Sequence, residues 1–140
     1  MSYNFVGTAP IFNTNTLGYI GTFQGTYNID YVGTSYVGFL SSFSLPSDGV
    51  YNVICNIKWN NIPQTNGCVY TFSLSNNPFD ISNFASGGNL NGSGGSSMCL
   101  QVNGFFNKYY GQSPTTYINF ICSSEFSSSF DVTVNWMRIG

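Results

Sequence analysis

Apolar residues recur at every second position through most of the second half of the chain. Within residues 50–59, Tyr51, Val53, Cys55, Ile57 and Trp59 are apolar, with Asn52, Asn56 and Lys58 between them and Ile54 as the exception. Successive side chains of a strand point to opposite faces, so this spacing predicts a strand with one buried face. The same alternation runs through 68–74 (Cys68, Tyr70, Phe72, Leu74), 98–102, 116–122 and 130–136. The first half is less regular. Residues 17–23, 26–32 and 35–40 each predict a short strand, with Gly25 and Gly33 as breaks. Gly18, Gly21 and Gly38 predict bulges or close approaches. No segment repeats its apolar residues every 3.6 positions, and Asn, Gly, Ser and Thr are poor helix formers. The pattern therefore predicts an all-β chain of about eight strands. Each strand has one apolar face needing cover, which predicts an antiparallel two-sheet sandwich.

Length sets the organisation. At 140 residues and 15.3 kDa the chain fits one domain, residues 1–140, with 1–16 read as an extended N-terminal arm. The Gly/Ser-rich stretch 86–97 reads as a flexible loop between strands. It lacks the Lys of a phosphate-binding loop. Asn91-Gly92-Ser93 matches a glycosylation acceptor, which matters only for an exported chain. The opening residues show neither a basic nor a continuous apolar region, so no signal peptide is expected.

Composition changes the picture more than length does. Hydrophobic residues make up 42% and aromatics 18%, but charged residues only 6%, against about 25% in ordinary soluble proteins. Asn, Ser, Thr and Gln supply 52 uncharged polar residues in their place. With Lys58, Lys108 and Arg138 the only basic residues, there is no electrostatic footprint for nucleic acid or an anionic membrane. The absence of histidine removes Ser/His/Asp and Cys/His catalysis and every His-containing metal site. The five acids, Asp30, Asp48, Asp80, Glu125 and Asp131, show no motif spacing. No catalytic, metal or cofactor-binding residue is predicted; a carboxylate pair of Glu125 and Asp131 would need to meet across one cleft. Charge depletion with aromatic enrichment is the composition of interface cores, and predicts a surface packed against other protein.

The four cysteines lack the CxxC spacing of a zinc site. Cys55, Cys68 and Cys122 fall on the apolar phase of their strands, and Cys99 on the opposite one. Buried free thiols suit the first three. A Cys55–Cys68 or Cys55–Cys122 bridge is also compatible with a sandwich.

In residues 43–51, Phe43, Pro46, Gly49 and Tyr51 resemble the entry to a central strand in jelly-roll heads of the tumour necrosis factor and complement globular-head type. The same pattern is met in viral fibre tips and capsid components. The chain end, with its Arg138-Ile139 pair, is similar to the last strand of such viral heads. The resemblance implies a single jelly roll of two four-stranded sheets, a homotrimer and no catalysis. It implies a structural virion protein, made in the host cytoplasm, whose partners are itself and other capsid or virion proteins. The alternative is a carbohydrate-binding, lectin-like module on the same sandwich. Its contact residues would be Asn107, Tyr109, Tyr110 and Tyr117, with rings stacking on sugar faces and amides binding hydroxyls. Trp59 and Trp136 lie on apolar phases and belong to the core on either reading.

Overall fold

The computed structural model describes residues 17–63, 66–82, 84–91, 96–108 and 115–140. These form eight strands: β1 (Ile20–Tyr31), β2 (Tyr36–Ser44), β3 (Gly49–Asn60), β4 (Asn66–Ser75), β5 (Ala85–Asn91), β6 (Met98–Lys108), β7 (Thr115–Cys122) and β8 (Phe126–Arg138). They pair into two antiparallel sheets of four, β1-β8-β3-β6 (sheet A) and β2-β7-β4-β5 (sheet B). This strand order is a jelly roll, two interlocked Greek keys folded face to face.

The alternating residues of β3, β4, β7 and β8 meet between the sheets. Trp59 is fully buried at the centre of an aromatic cluster, with ring centroids 5.3 Å from Phe120, 5.4 Å from Tyr70 and 5.8 Å from Phe130. Phe72 and Phe120, side by side in sheet B, stack at 4.4 Å. Trp136 is partly buried and stacks on Phe43 at 5.6 Å. The inward-phase cations sit at strand ends, outside this apolar interior. Lys108 lies 3.8 Å from Asp48, and Arg138 Nε donates to the Gly140 carbonyl at 2.9 Å.

Residues 43–51 form the turn into β3. The Tyr51 ring is buried, and its hydroxyl donates to the Ser47 carbonyl at 2.8 Å, tying the turn to the core. A Cβ on Gly49 would lie 2.7 Å from the Gly140 carbonyl oxygen, so the chain end packs onto a position that only glycine leaves open.

Three expectations change. The predicted strands 17–23 and 26–32 are one strand, β1, running unbroken through Gly25 opposite β8. Backbone pairing along twelve positions outweighs the local weakness of one glycine. Part of the stretch read as a loop, residues 86–91, belongs to β5. Its small residues lie against β4, with Gly87 and Gly88 opposite Thr71 and Tyr70, and Leu90 enters the core. Thirdly, the sulfurs that meet are Cys68 and Cys122, 3.2 Å apart in sheet B, whereas Cys55 belongs to β3 of sheet A. The arm 1–16, most of the stretch between β5 and β6, and Tyr109 and Tyr110 lie outside the described residues.

Candidate interaction face

The two sheets turn different faces outward. None of the strands of sheet B contains a charged residue. Its outward positions instead carry Val37 and Phe39 from β2, Val69 and Thr71 from β4, and Tyr117 and Ile121 from β7. Register places Val37, Ile121 and Thr71 in one row across three strands. In the next row stand Phe39, Asn119 and Ser73.

Asn119 departs from the pattern. It points away from the core, yet it is fully buried, because residues 76–82 of the β4–β5 connection fold over it. Its side chain holds that connection down. The Phe79 amide donates to Asn119 Oδ1 at 2.8 Å, and Asn119 Nδ2 donates to the carbonyls of Asn77 (3.1 Å) and Asp80 (2.9 Å). Ser73 Oγ donates to the same Asp80 carbonyl at 2.6 Å. The Asp80 carboxylate accepts from Ser82 through both its amide and its hydroxyl, and from Ser75 Oγ. These bonds, those from Ser82 foremost, hold the Asp80 carboxyl below its ordinary pKa.

The anchored connection presents Phe79. This residue has φ 66°, in the left-handed region that costs a non-glycine residue about 1–3 kcal/mol. Its ring is 53% exposed and packs 5.9 Å from Phe39, itself 42% exposed and 5.2 Å from Tyr117. Val37 and Val69 are exposed to 52% and 49% on the same face. The result is an aromatic and aliphatic surface on strands that carry no charge, held in place by a buried amide at a cost in backbone strain, with the ionised Asp80 carboxylate beside Phe79 in the same connection. Such an apolar surface excludes water when another protein covers it.

Sheet A is polar outside. Thr26 and Asn60 both donate to the Asp131 carboxylate, at 2.9 and 3.0 Å. These bonds, that from Asn60 foremost, lower the Asp131 pKa. Gln101 donates to Asn56 Oδ1 at 3.3 Å. Phe105, the facing pair Ile20 and Met137, and half-buried Ile54 are apolar exceptions on this side.

The four predicted contact residues do not form one site. Tyr117 lies in the sheet B cluster beside Phe39. Asn107 lies elsewhere, on the rim of a shallow depression shared with Asn76, Asn77, Asp80, Phe84 and Phe105. Tyr109 and Tyr110 are outside the described residues. Of the acids proposed as a pair, Glu125 sits exposed in the β7–β8 turn, and Asp131 on the outer face of sheet A. The sequence reading missed Val37, Phe39, Phe79 and Asn119. For Val37 and Phe39 the signal was present, since they occupy the phase opposite to buried Leu40. Nothing in the local sequence marks Asn119 or Phe79, which meet across 40 residues of chain.

No protein-family model matches the chain, and no curated protein matches it.

Proposed function

We propose that this chain is a structural virion protein, a small jelly-roll subunit of a capsid, minor capsid or fibre head that works by protein–protein assembly. Its first partner is a second copy of the same chain, in a homotrimer, with other virion proteins as further neighbours. The observation that carries this reading is the apolar outer face of sheet B, whose strands carry no charged residue, with Phe79 held outward in a strained conformation. A formal net charge of −2 adds little to oppose the approach of two copies. The jelly roll itself serves viral capsids and lectins alike, so the fold alone does not choose between them.

The test is absolute molar mass in solution, by light scattering after size exclusion, on the wild type and Phe79→Asn. Asparagine tolerates the left-handed region better than phenylalanine. The variant is therefore expected to fold at least as stably while the assembly weakens. Wild type at three times the 15.3 kDa chain mass, with the variant shifted toward monomer, supports the reading. A monomeric wild type at micromolar concentration removes it.

A second reading, a carbohydrate-binding module, has one observation in its favour. The depression at Asn107 combines amides from Asn76 and Asn77 with the rings of Phe84 and Phe105, the side-chain classes that bind sugar hydroxyls and sugar faces. Against it, the Asp80 carboxylate there is already committed to Ser75 and Ser82. Sugar binding at millimolar concentration that Asn107→Ala abolishes would favour this reading.

A further inference from the structure

We propose that Cys68 and Cys122 are joined by a disulfide that links β4 to β7 within sheet B. The inference is independent of the function proposed above. The two sulfurs lie 3.2 Å apart on neighbouring strands, and both residues are buried between the sheets. Bond formation requires them to close to about 2.05 Å, a movement within reach of small side-chain rotations.

The strands explain why these two meet. Cys122 is opposite Tyr70, so Cys68 is its diagonal neighbour on the inner face. Diagonal neighbours ordinarily stand near the upper limit of the separation that a disulfide spans. Here β4 carries an irregularity between Asn66 and Cys68, with Gly67 at φ 75°. Such a bulge sharpens the local twist of its strand, and the two sulfurs of the diagonal pair stand 3.2 Å apart. In the row between the two cysteines, the Ser123 amide donates to the Val69 carbonyl at 2.9 Å, and the Val69 amide to Ser123 Oγ at 2.8 Å. These bonds hold the strands together beside the sulfurs.

The oxidant is a small-molecule disulfide such as oxidised glutathione. One thiolate of the pair attacks it, forming a mixed disulfide and releasing one equivalent of reduced thiol. The second cysteine then attacks the protein sulfur of that mixed disulfide and expels the second equivalent. The two protein thiols give up two electrons and two protons in total, and the oxidant becomes two thiols. Burial and the contact with Cys68 push the Cys122 thiol up to about 12, so little thiolate forms in the finished core.

The tryptic map suits the test, because cleavage after Lys58 and Lys108 places Cys55, Cys68 and Cys122 on three different peptides. Cys99 is exposed and shares the peptide of Cys68, so it is first replaced in a Cys99→Ser variant. This protein is refolded in a glutathione redox buffer, alkylated under denaturing conditions and digested without reductant. The expected product is peptide 59–108 joined to the peptide that begins at residue 109, with Cys55 alkylated. Complete alkylation of all three cysteines, or a crosslink that includes peptide 1–58, overturns the proposal. As a second measurement, the oxidised protein is expected to melt about 10 °C above its reduced form. That difference should vanish in Cys68→Ala and persist in Cys55→Ala. Equal melting of both redox forms of the Cys99→Ser protein counts against the bridge.

Discussion

The two sheets share a core and a strand number but solve the exposure of their outer faces differently. Sheet A presents polar groups that water accommodates. Thr26 and Asn60 bond to Asp131 and Gln101 to Asn56, at positions that cost nothing to leave in water. Sheet B leaves Val37, Val69, Phe39 and Phe79 in solvent and spends a buried amide and a strained residue to hold part of that surface in shape. Burial of apolar surface is worth about 25 cal/mol per Å² only when water leaves it. In an isolated molecule the sheet B face buries only what Phe39, Phe79 and Tyr117 cover of one another, and the strain at Phe79 is offset by the Asn119 anchor. The difference teaches that two sheets sharing one core can present different chemistry to solvent.

Charge placement should break the comparison most sharply. Thr71→Lys puts an ammonium into the outward row of sheet B, and burying it unpaired in an interface costs several kcal/mol. Self-association is expected to fall by at least about 100-fold, as read by sedimentation equilibrium. Thr133→Lys makes the same change on the outer face of sheet A, and assembly should stay within about threefold of wild type. Equal effects from the two variants would mean that the sheets do not differ in role.

Removing the anchor comes next. Asn119→Ala leaves the Phe79 amide and two carbonyls without their partner, and a cost of about 2–3 kcal/mol is expected in urea unfolding. Hydrogen exchange at Phe79 should speed up with it. Asn56→Ala, which removes an exposed amide from sheet A, should stay within about 0.5 kcal/mol. Asparagines thus differ by position, not by type.

Acid should give the smallest effect. Hydrogen bonds depress the carboxyl pKa of Asp80 and of Asp131 in the folded chain. Each therefore supports the fold above the unfolded carboxyl value of about 3.9, and its support is lost as the pH falls through the lower folded value. Thermal midpoints measured from pH 5 to pH 2 should fall only below about pH 4. Asp80→Asn should remove the part of that fall that reports the β4–β5 connection, and Asp131→Asn the part from sheet A. A midpoint that declined already between pH 5 and about pH 4 would point to some other group.

The strands of the second half were legible because each buries one face, which writes a period of two into the residues themselves. Residues 50–59, 68–74, 116–122 and 130–136 all fall inside observed strands. The predicted number of strands, about eight, agrees with the structure through two offsetting errors. Gly25 was read as a break where β1 continues, and β5 was read as loop because Ser86, Gly87, Gly88 and Asn89 carry no β propensity. Both segments are edge strands paired on one side only. Their conformation comes from backbone bonds to a neighbour, which side-chain identity does not announce. Tyr117 was singled out for stacking on a ligand, and the structure sets it in an aromatic cluster with Phe39.

The alternation of apolar and polar residues, with so many of the apolar ones aromatic, determined by itself that this chain is an all-β sandwich with an aromatic core. These are local properties, and each residue carries its share of them. Tertiary structure alone decided that Asn119 is buried, that Phe79 is turned outward, and that Cys68 meets Cys122 rather than Cys55. Each of those depends on which strands become neighbours and on how a connection folds back over a sheet. Such contacts join residues 40 or more positions apart, and no local pattern records them.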